Sequence, residues 1–453
     1  MKTFAASLAL VAALSSSVLA SPANLEARAT AASTGKLPAV TVKGNAFFAG
    51  DDRFYIRGVD YQPGGASDAK DPIADVAGCK RDVAYFKKLG INTVRVYTVD
   101  NTADHDECMS MLADAGIYLA LDVNTPKYSI NRAEPEVSYN DVYLQSIFAT
   151  IDAFASYSNT LLFFSGNEVI NDDSTTACAP YVKAVTRDMR QYIGTRGYRS
   201  IPVGYSAADV DSNRLEMAQY MNCGTDAERS DFFAFNDYSW CDPSSFTKSG
   251  WDQKVQTYKN YSIPLFLSEF GCNTNTREFN EIASLYSDDM TAVYSGGLVY
   301  EYSEEGSKYG LVKISGNSVT PLDDFNTLKT KLAATKAPTG DGGYLKDGAA
   351  TKCPAQSSTW NVTWGNDLPS IPVPAKKYLT SGAGKGPGLK GAGSQNSGTQ
   401  STGTAPANAG QVSSTSTAST GAAASLRVPE FSAAPYLCGL VVLASTLLGA
   451  TLL

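Results

Sequence analysis

The chain has 453 residues, 43% of them hydrophobic, and a formal net charge of −8 with no long basic run. That length exceeds one small domain, and the acidic balance argues against a nucleic-acid partner. A single histidine, His105, excludes a histidine-rich zinc site and an HExxH centre, so catalysis is expected to rest on carboxylates, chemistry that needs no metal or organic cofactor.

The first twenty residues, MKTFAASLALVAALSSSVLA, have a basic start, an apolar middle and small residues at Val18 and Ala20 before Ser21. They read as a secretory signal peptide and stand outside the fold. Residues 30–355 then alternate strand-like and helix-like segments. The strand-like runs fall at 53–61, 92–99, 117–123, 161–168, 201–209, 232–238, 263–271 and 296–303, each rich in β-branched or aromatic residues. Between them lie amphipathic stretches, including VAGCKRDVAYFKKLG with Gly90 as a stop signal, DVYLQSIFATIDAFASY and EFNEIASLYSDDMTAVY. Eight strands alternating with helices predict a (β/α)₈ TIM barrel, one α/β domain. No GxGxxG follows the first strand, which argues against an open dinucleotide-binding sheet.

Residues 356–421 turn to Gly, Ser, Thr and Ala and predict a disordered Ser/Thr/Gly-rich stalk. The chain ends in the uncharged apolar run YLCGLVVLASTLLGATLL, preceded by small residues and a spacer. That order is the signal for a GPI anchor, with residues 422–453 removed and attachment near Gly421. Sequons at Asn260 and Asn361 fit a secreted glycoprotein. Eight cysteines occur; Cys438 lies in the anchor tail, which leaves seven. An odd number in a secreted chain predicts three disulfides and one free thiol.

A barrel places its chemistry at the C-terminal ends of its strands. Polar and aromatic groups gather there, from Asp60, Tyr61 and Gln62 to Tyr300, Glu301 and Tyr302. Tyrosine faces can stack on sugar rings while carboxylates and amides bond hydroxyls. Two glutamates stand out. Glu168 ends the fourth strand, in FFSGNEVIND, and Glu269 ends the seventh. Strands three apart in an eight-membered ring face each other across the mouth. Two facing carboxyl groups are the equipment of glycoside cleavage, one as proton donor and the other as nucleophile or water-activating base. His105, in NTADHDECMSML, reads as a surface or helix-capping residue, not as part of a triad.

The segments GVDYQPGG, VRVYTVD, LDVNTP, GNEV, SEFGCN and GGLVYEYS occur in this order. Together they resemble the fungal cell-wall β-1,3-glucanosyltransferases of glycoside hydrolase family 72, over residues 36–355. The resemblance implies a retaining mechanism, with Glu168 as acid/base and Glu269 as nucleophile. It places glucan contacts at Gln62, Tyr97, Asp122, Asn167, Asp209, Arg214, Tyr238 and Tyr300, and further ones in the loop of Ser129, Asn131 and Arg132. Tyr300 and Tyr302 share a strand face, and the GGLVY match favours Tyr300. The implied disulfides are Cys79–Cys108, Cys223–Cys353 and Cys241–Cys272, one of fifteen ways to join six cysteines, with Cys178 left over. No second cysteine-rich binding module follows the barrel, so glucan binding falls to the cleft.

The expected activity is internal cleavage of a β-1,3-glucan and transfer of the new reducing-end piece to the non-reducing end of another chain. The partners are donor and acceptor glucans and a GPI lipid. The expected form is a monomer on the outer face of the plasma membrane and in the cell wall. An endo-β-1,3-glucanase would use the same two glutamates, and a non-catalytic glucan-binding wall protein is the third reading.

Overall fold

The computed structural model describes residues 37–66, 69–363 and 367–406. The expected signal peptide, Cys438, the Gly421 anchor point and residues 407–453 lie outside the described residues. A three-stranded antiparallel sheet comes first: β1 (Val40–Lys43), β2 (Ala46–Ala49) and β3 (Asp52–Phe54). Eight parallel strands then close into a barrel. They are β4 (Ile56–Asp60), β5 (Thr93–Val96), β6 (Tyr118–Asp122), β7 (Thr160–Asn167), β8 (Val203–Ala207), β9 (Phe232–Asp237), β10 (Leu265–Phe270) and β11 (Tyr294–Val299). Each lies within the corresponding expected run or overlaps it by all but its first residues.

Two hydrophobic layers hold the barrel. Ala120, Phe164, Phe232, Ala234, Phe266 and Leu298 pack together with Val40, Phe47 and Phe54 of the first sheet. Phe47 meets the rings of Phe232 and Phe266 at 6.2 and 5.9 Å between centroids. Fully burying each such side chain contributes about 1.5–3 kcal/mol. The larger layer lies between strands and helices and includes Phe86, Ile147, Phe148 and Met189. Closure between β11 and β4 depends on Gly296. Its φ is 88°, and a Cβ there would stand 2.0 Å from the Ile56 carbonyl oxygen, so only glycine admits the neighbouring strand.

The helices follow their local signals. Asp75 caps Val76–Leu89 by accepting from the Gly78 amide, and Gly90 ends it in the left-handed conformation at φ 73°. Asn140 caps Asp141–Phe154 through the Tyr143 amide. The segment expected as one helix at 278–294 is instead two short ones, Glu281–Leu285 and Asp288–Thr291. Ser287 between them is extended, Asp288 and Asp289 favour a fresh helix start, and Tyr286 is pinned by its hydroxyl to the Ile56 carbonyl at 2.7 Å.

Two further expectations need correction. His105 occupies the N-cap position of the helix Asp106–Asp114, as the capping reading expects, but it makes no side-chain cap bond and is not on the surface. It is 1% exposed, and its Nε2 lies 2.7 Å from Asp71 Oδ2. The stalk does not begin at 356. Residues 356–363 and 367–404 lie along the barrel, with Trp360, Ala375 and Ser394 fully buried. β14 (Asp367–Pro369) pairs with β15 (Thr404–Pro406), and the helix Lys376–Ser381 lies between them. A hairpin of β12 (Val312–Ser315) and β13 (Ser318–Pro321) precedes the last barrel helix, Asp323–Ala334.

Candidate active site

Asp60, Asp122, Asn167, Asn236 and Glu269 stand at or next to the C-terminal ends of their strands, and Glu168 follows β7 directly. Glu168 has φ 50°, a conformation uncommon outside glycine. Strain of this kind persists where surrounding contacts enforce it. Here the Glu168 amide donates to the Ser206 carbonyl at 2.9 Å, and Arg132 donates to the Glu168 carbonyl at 2.7 Å. The carboxylate then accepts from Asn236 Nδ2 at 2.8 Å. Ser268 Oγ donates to Asn236 Oδ1 at 2.9 Å, which turns the amide nitrogen toward Glu168.

Glu269 is held differently. Tyr97 donates to Oε1 at 2.8 Å, Tyr238 to Oε2 at 2.7 Å, and Arg95 Nη1 lies 3.3 Å from Oε1. Burial pushes the Glu269 carboxyl up. The Arg95 guanidinium pulls it back, the facing Glu168 pushes it up again, and the two hydroxyls favour its charged form; burial prevails and the carboxyl stays above its ordinary value.

Arg95 is the hub beneath. It is fully buried, donates through Nε to Asp122 at 2.8 Å, lies 4.0 Å from Asp60, and sits over the rings of Tyr97 and Phe164 at 4.3 and 4.5 Å. Asp60 is fully buried with no hydrogen bond to either carboxyl oxygen, and burial pushes it well above the usual carboxylate range.

A cleft of about 430 Å³ opens above these groups. Tyr97, Asp122, Ser129, Arg132, Asn167, Glu168, Glu269 and Tyr300 line it. Tyr238 reaches the same point through its bond to Glu269. Asp209 accepts from the Tyr238 amide at 3.0 Å and is paired with Arg214, so these two brace Tyr238. Gln62 is buried at 1% exposure: its Oε1 accepts from the Tyr97 and Thr98 amides, and its Nε2 donates to the Lys70 carbonyl. Its amide therefore fixes Tyr97 from below. Asn131 turns inward on its own loop, where Oδ1 accepts from the Ala133 amide.

Tyr300 and Tyr302 separate cleanly. Tyr300 lines the cleft; Tyr302 is fully buried, donates to Asp82 at 3.0 Å and packs on Tyr61 and Phe86. Three residues of the site escaped the sequence reading of contacts: Arg95, Asn236 and Tyr309. A lone cation inside the apolar strand TVRV is a signal for the first, since burying it demands carboxylate partners. Asn236 follows the same logic in FFAFND. Tyr309 completes a trio with Tyr238 and Tyr300, at 5.6 and 5.3 Å between centroids, and comes from a loop with no periodic signal.

The structure contains disulfides Cys79–Cys108, Cys223–Cys353 and Cys241–Cys272, with Cys178 free and buried. The last bridge joins the chain just past β9 to the chain just past β10, beside Tyr238 and Glu269. Asn260 and Asn361 are exposed.

Residues 29–336 match the family model for glycoside hydrolase family 72, described as glucanosyltransferase. The 1,3-beta-glucanosyltransferase gel1 of Aspergillus fumigatus is 71% identical over 420 residues, 91% of this chain and 92% of that protein. The 1,3-beta-glucanosyltransferase GAS5 of Saccharomyces cerevisiae is 54% identical over 364 residues, 79% of this chain and 75% of that one. Among solved structures, Saccharomyces cerevisiae Gas2p in complex with laminaripentaose superposes with a TM-score of 0.69 at 39% identity, covering 75% of this chain and 79% of that one. By sequence match, identity and fold alike, the chain belongs to glycoside hydrolase family 72.

Proposed function

We propose that this chain is a retaining β-1,3-glucanosyltransferase that cuts a β-1,3-glucan internally and passes the new reducing-end fragment to the non-reducing end of another glucan. The observation that carries the reading is the unequal treatment of two glutamates at one cleft. Glu269 accepts from two phenol hydroxyls and a guanidinium, donors that favour an ionised nucleophile. Glu168 accepts from one neutral amide, which leaves an oxygen free to carry and deliver a proton.

In the first step Glu168 protonates the glycosidic oxygen as Glu269 attacks the anomeric carbon. The bond to the leaving glucan breaks and an ester to Glu269 forms. In the second step Glu168 takes the proton from an acceptor hydroxyl, which displaces Glu269 and restores the β configuration. Asn167 is suited to bond the 2-hydroxyl of the reacting sugar, a contact that strengthens in the transition state. Tyr97, Tyr238, Tyr300, Asp122, Ser129 and Arg132 would contact donor and acceptor sugars. The enzyme would act as a monomer tethered by a GPI anchor near Gly421 to the outer face of the plasma membrane, and in the cell wall.

Product sizing on a laminari-oligosaccharide tests the reading. Products longer than the substrate are expected, and Glu269→Gln abolishes them. Shorter products alone would mean an endo-glucanase, and binding without turnover a wall-binding protein.

A further inference from the structure

The cleft wall beside Glu168 is the loop 125–132, with Tyr128 and Ile130 buried and Arg132 bonded to the Glu168 carbonyl. Thr125 and Tyr128 exchange two backbone hydrogen bonds, and the Asn131 amide donates to Ser138 Oγ at 2.8 Å. The middle of the loop is held by residues that follow the barrel by more than fifty positions and lie past the family match, which ends at 336. The Ser394 amide donates to the Lys127 carbonyl at 2.9 Å, and the Gly393 amide to the Tyr128 hydroxyl at 3.1 Å. Gln395 Nε2 donates to the Ser129 carbonyl at 2.8 Å and lies 3.2 Å from its hydroxyl. Lys127 Nζ donates back to the carbonyls of Leu389 and Gly391 at 3.3 and 3.1 Å.

The same segment is anchored on the barrel side. Asn140 Nδ2 donates to the Ser394 carbonyl at 2.7 Å, while Asn140 Oδ1 caps the helix Asp141–Phe154. The Asp141 amide donates to the Thr399 carbonyl at 3.2 Å, and Asn140 and Gln400 form an antiparallel bridge. Ser394 is fully buried between the two sets of contacts.

We propose that residues 389–400 are a strap that sets the glucan-binding wall, with Ser394 and Gln395 as positioning residues. They fix Lys127, Tyr128 and Ser129, and through that loop Arg132, whose guanidinium holds the Glu168 carbonyl. Gln395 is not one of the residues lining the cleft, so it acts through Ser129 and not on the sugar. The inference rests on reading the cleft as a glucan site. It gives the Gly/Ser-rich segment after the barrel a part in substrate affinity.

Gln395→Leu keeps the side-chain size and removes the donor; Gln395→Lys returns a donor to the Ser129 carbonyl. In the full-length enzyme, Gln395→Leu is expected to raise KM for laminari-oligosaccharide transfer about fivefold, the worth of one neutral hydrogen bond. The kcat and Tm stay at the parent's values, and Gln395→Lys recovers most of the loss. Hydrogen–deuterium exchange in the peptide spanning 125–132 becomes faster in the Leu variant. A Leu variant with the parent's KM and exchange overturns the proposal, as does a KM change accompanied by an equal loss of kcat and a lower Tm. The parent's own product pattern tests the glucan reading separately, and the exchange measurement decides the strap whatever that pattern is.

Discussion

At Glu269, three donors converge on one carboxylate in a site where burial pushes the carboxyl up. The balance has a direction that can be tested. The Tyr238 hydroxyl bonds the ionised form and so lowers the carboxyl; removing it leaves burial and Glu168 less opposed. In Tyr238→Phe the acid limb of the kcat/KM profile therefore moves to higher pH, by up to about one unit for a hydrogen bond to a charged group. Activity on the acid side falls. A profile unmoved on the acid side would show that Tyr238 does not act on the ionisation of Glu269. At this scale a polar residue at the end of an apolar strand was legible at Glu168, Glu269 and Tyr97, but not at Asn236, which bonds Glu168. The sequence placed a glucan contact at Gln62, whose amide is engaged instead by the backbone of Tyr97, Thr98 and Lys70, because type and position do not reveal which way an amide is engaged.

At the scale of elements, strand periodicity and helix caps carried the barrel: every expected strand is present, and Gly90 and Asn140 mark helix boundaries as their chemistry requires. The segment from 278 to 294 failed because apolar spacing continues across Ser287 while the backbone does not. The bridges between elements differ in what they constrain. Cys223–Cys353 spans 130 positions and Cys79–Cys108 spans 29. In the chain-entropy account the cost of closing a loop grows with the logarithm of its length, so the longer bridge stabilises more by about 1 kcal/mol. Replacing Cys223 and Cys353 together by Ser is thus expected to lower Tm further than replacing Cys79 and Cys108. Equal losses in thermal unfolding would indicate that native packing, not loop length, sets the value of these bridges.

For the molecule as a whole, composition misjudged where the folded part ends. Residues 380–404 contain few large apolar side chains, so a rule based on core burial reads them as stalk. They are held instead by backbone and small polar groups. The Ala383 amide donates to the Tyr192 hydroxyl at 2.8 Å, and Gln145 Nε2 donates to the carbonyls of Ala383 and Lys385 at 2.9 and 2.8 Å. Earlier in the same tail, Trp360 is fully buried against Tyr220, and Arg187 donates to the Pro369 carbonyl at 2.8 Å. A chain ending at 406 keeps all of these contacts and is expected to match the full-length protein in Tm and in transfer activity. A chain ending at 355 keeps Cys353 and the complete barrel but strips the cover from Tyr220, Tyr192 and the loop 125–132. Losing the buried Trp360 alone corresponds to about 3–5 kcal/mol, so unfolding at a clearly lower temperature is expected, with a raised KM for glucan. If the shorter chain melted with the longer one, the tail would be a passenger on the barrel, and the boundary of the catalytic unit would return to 355.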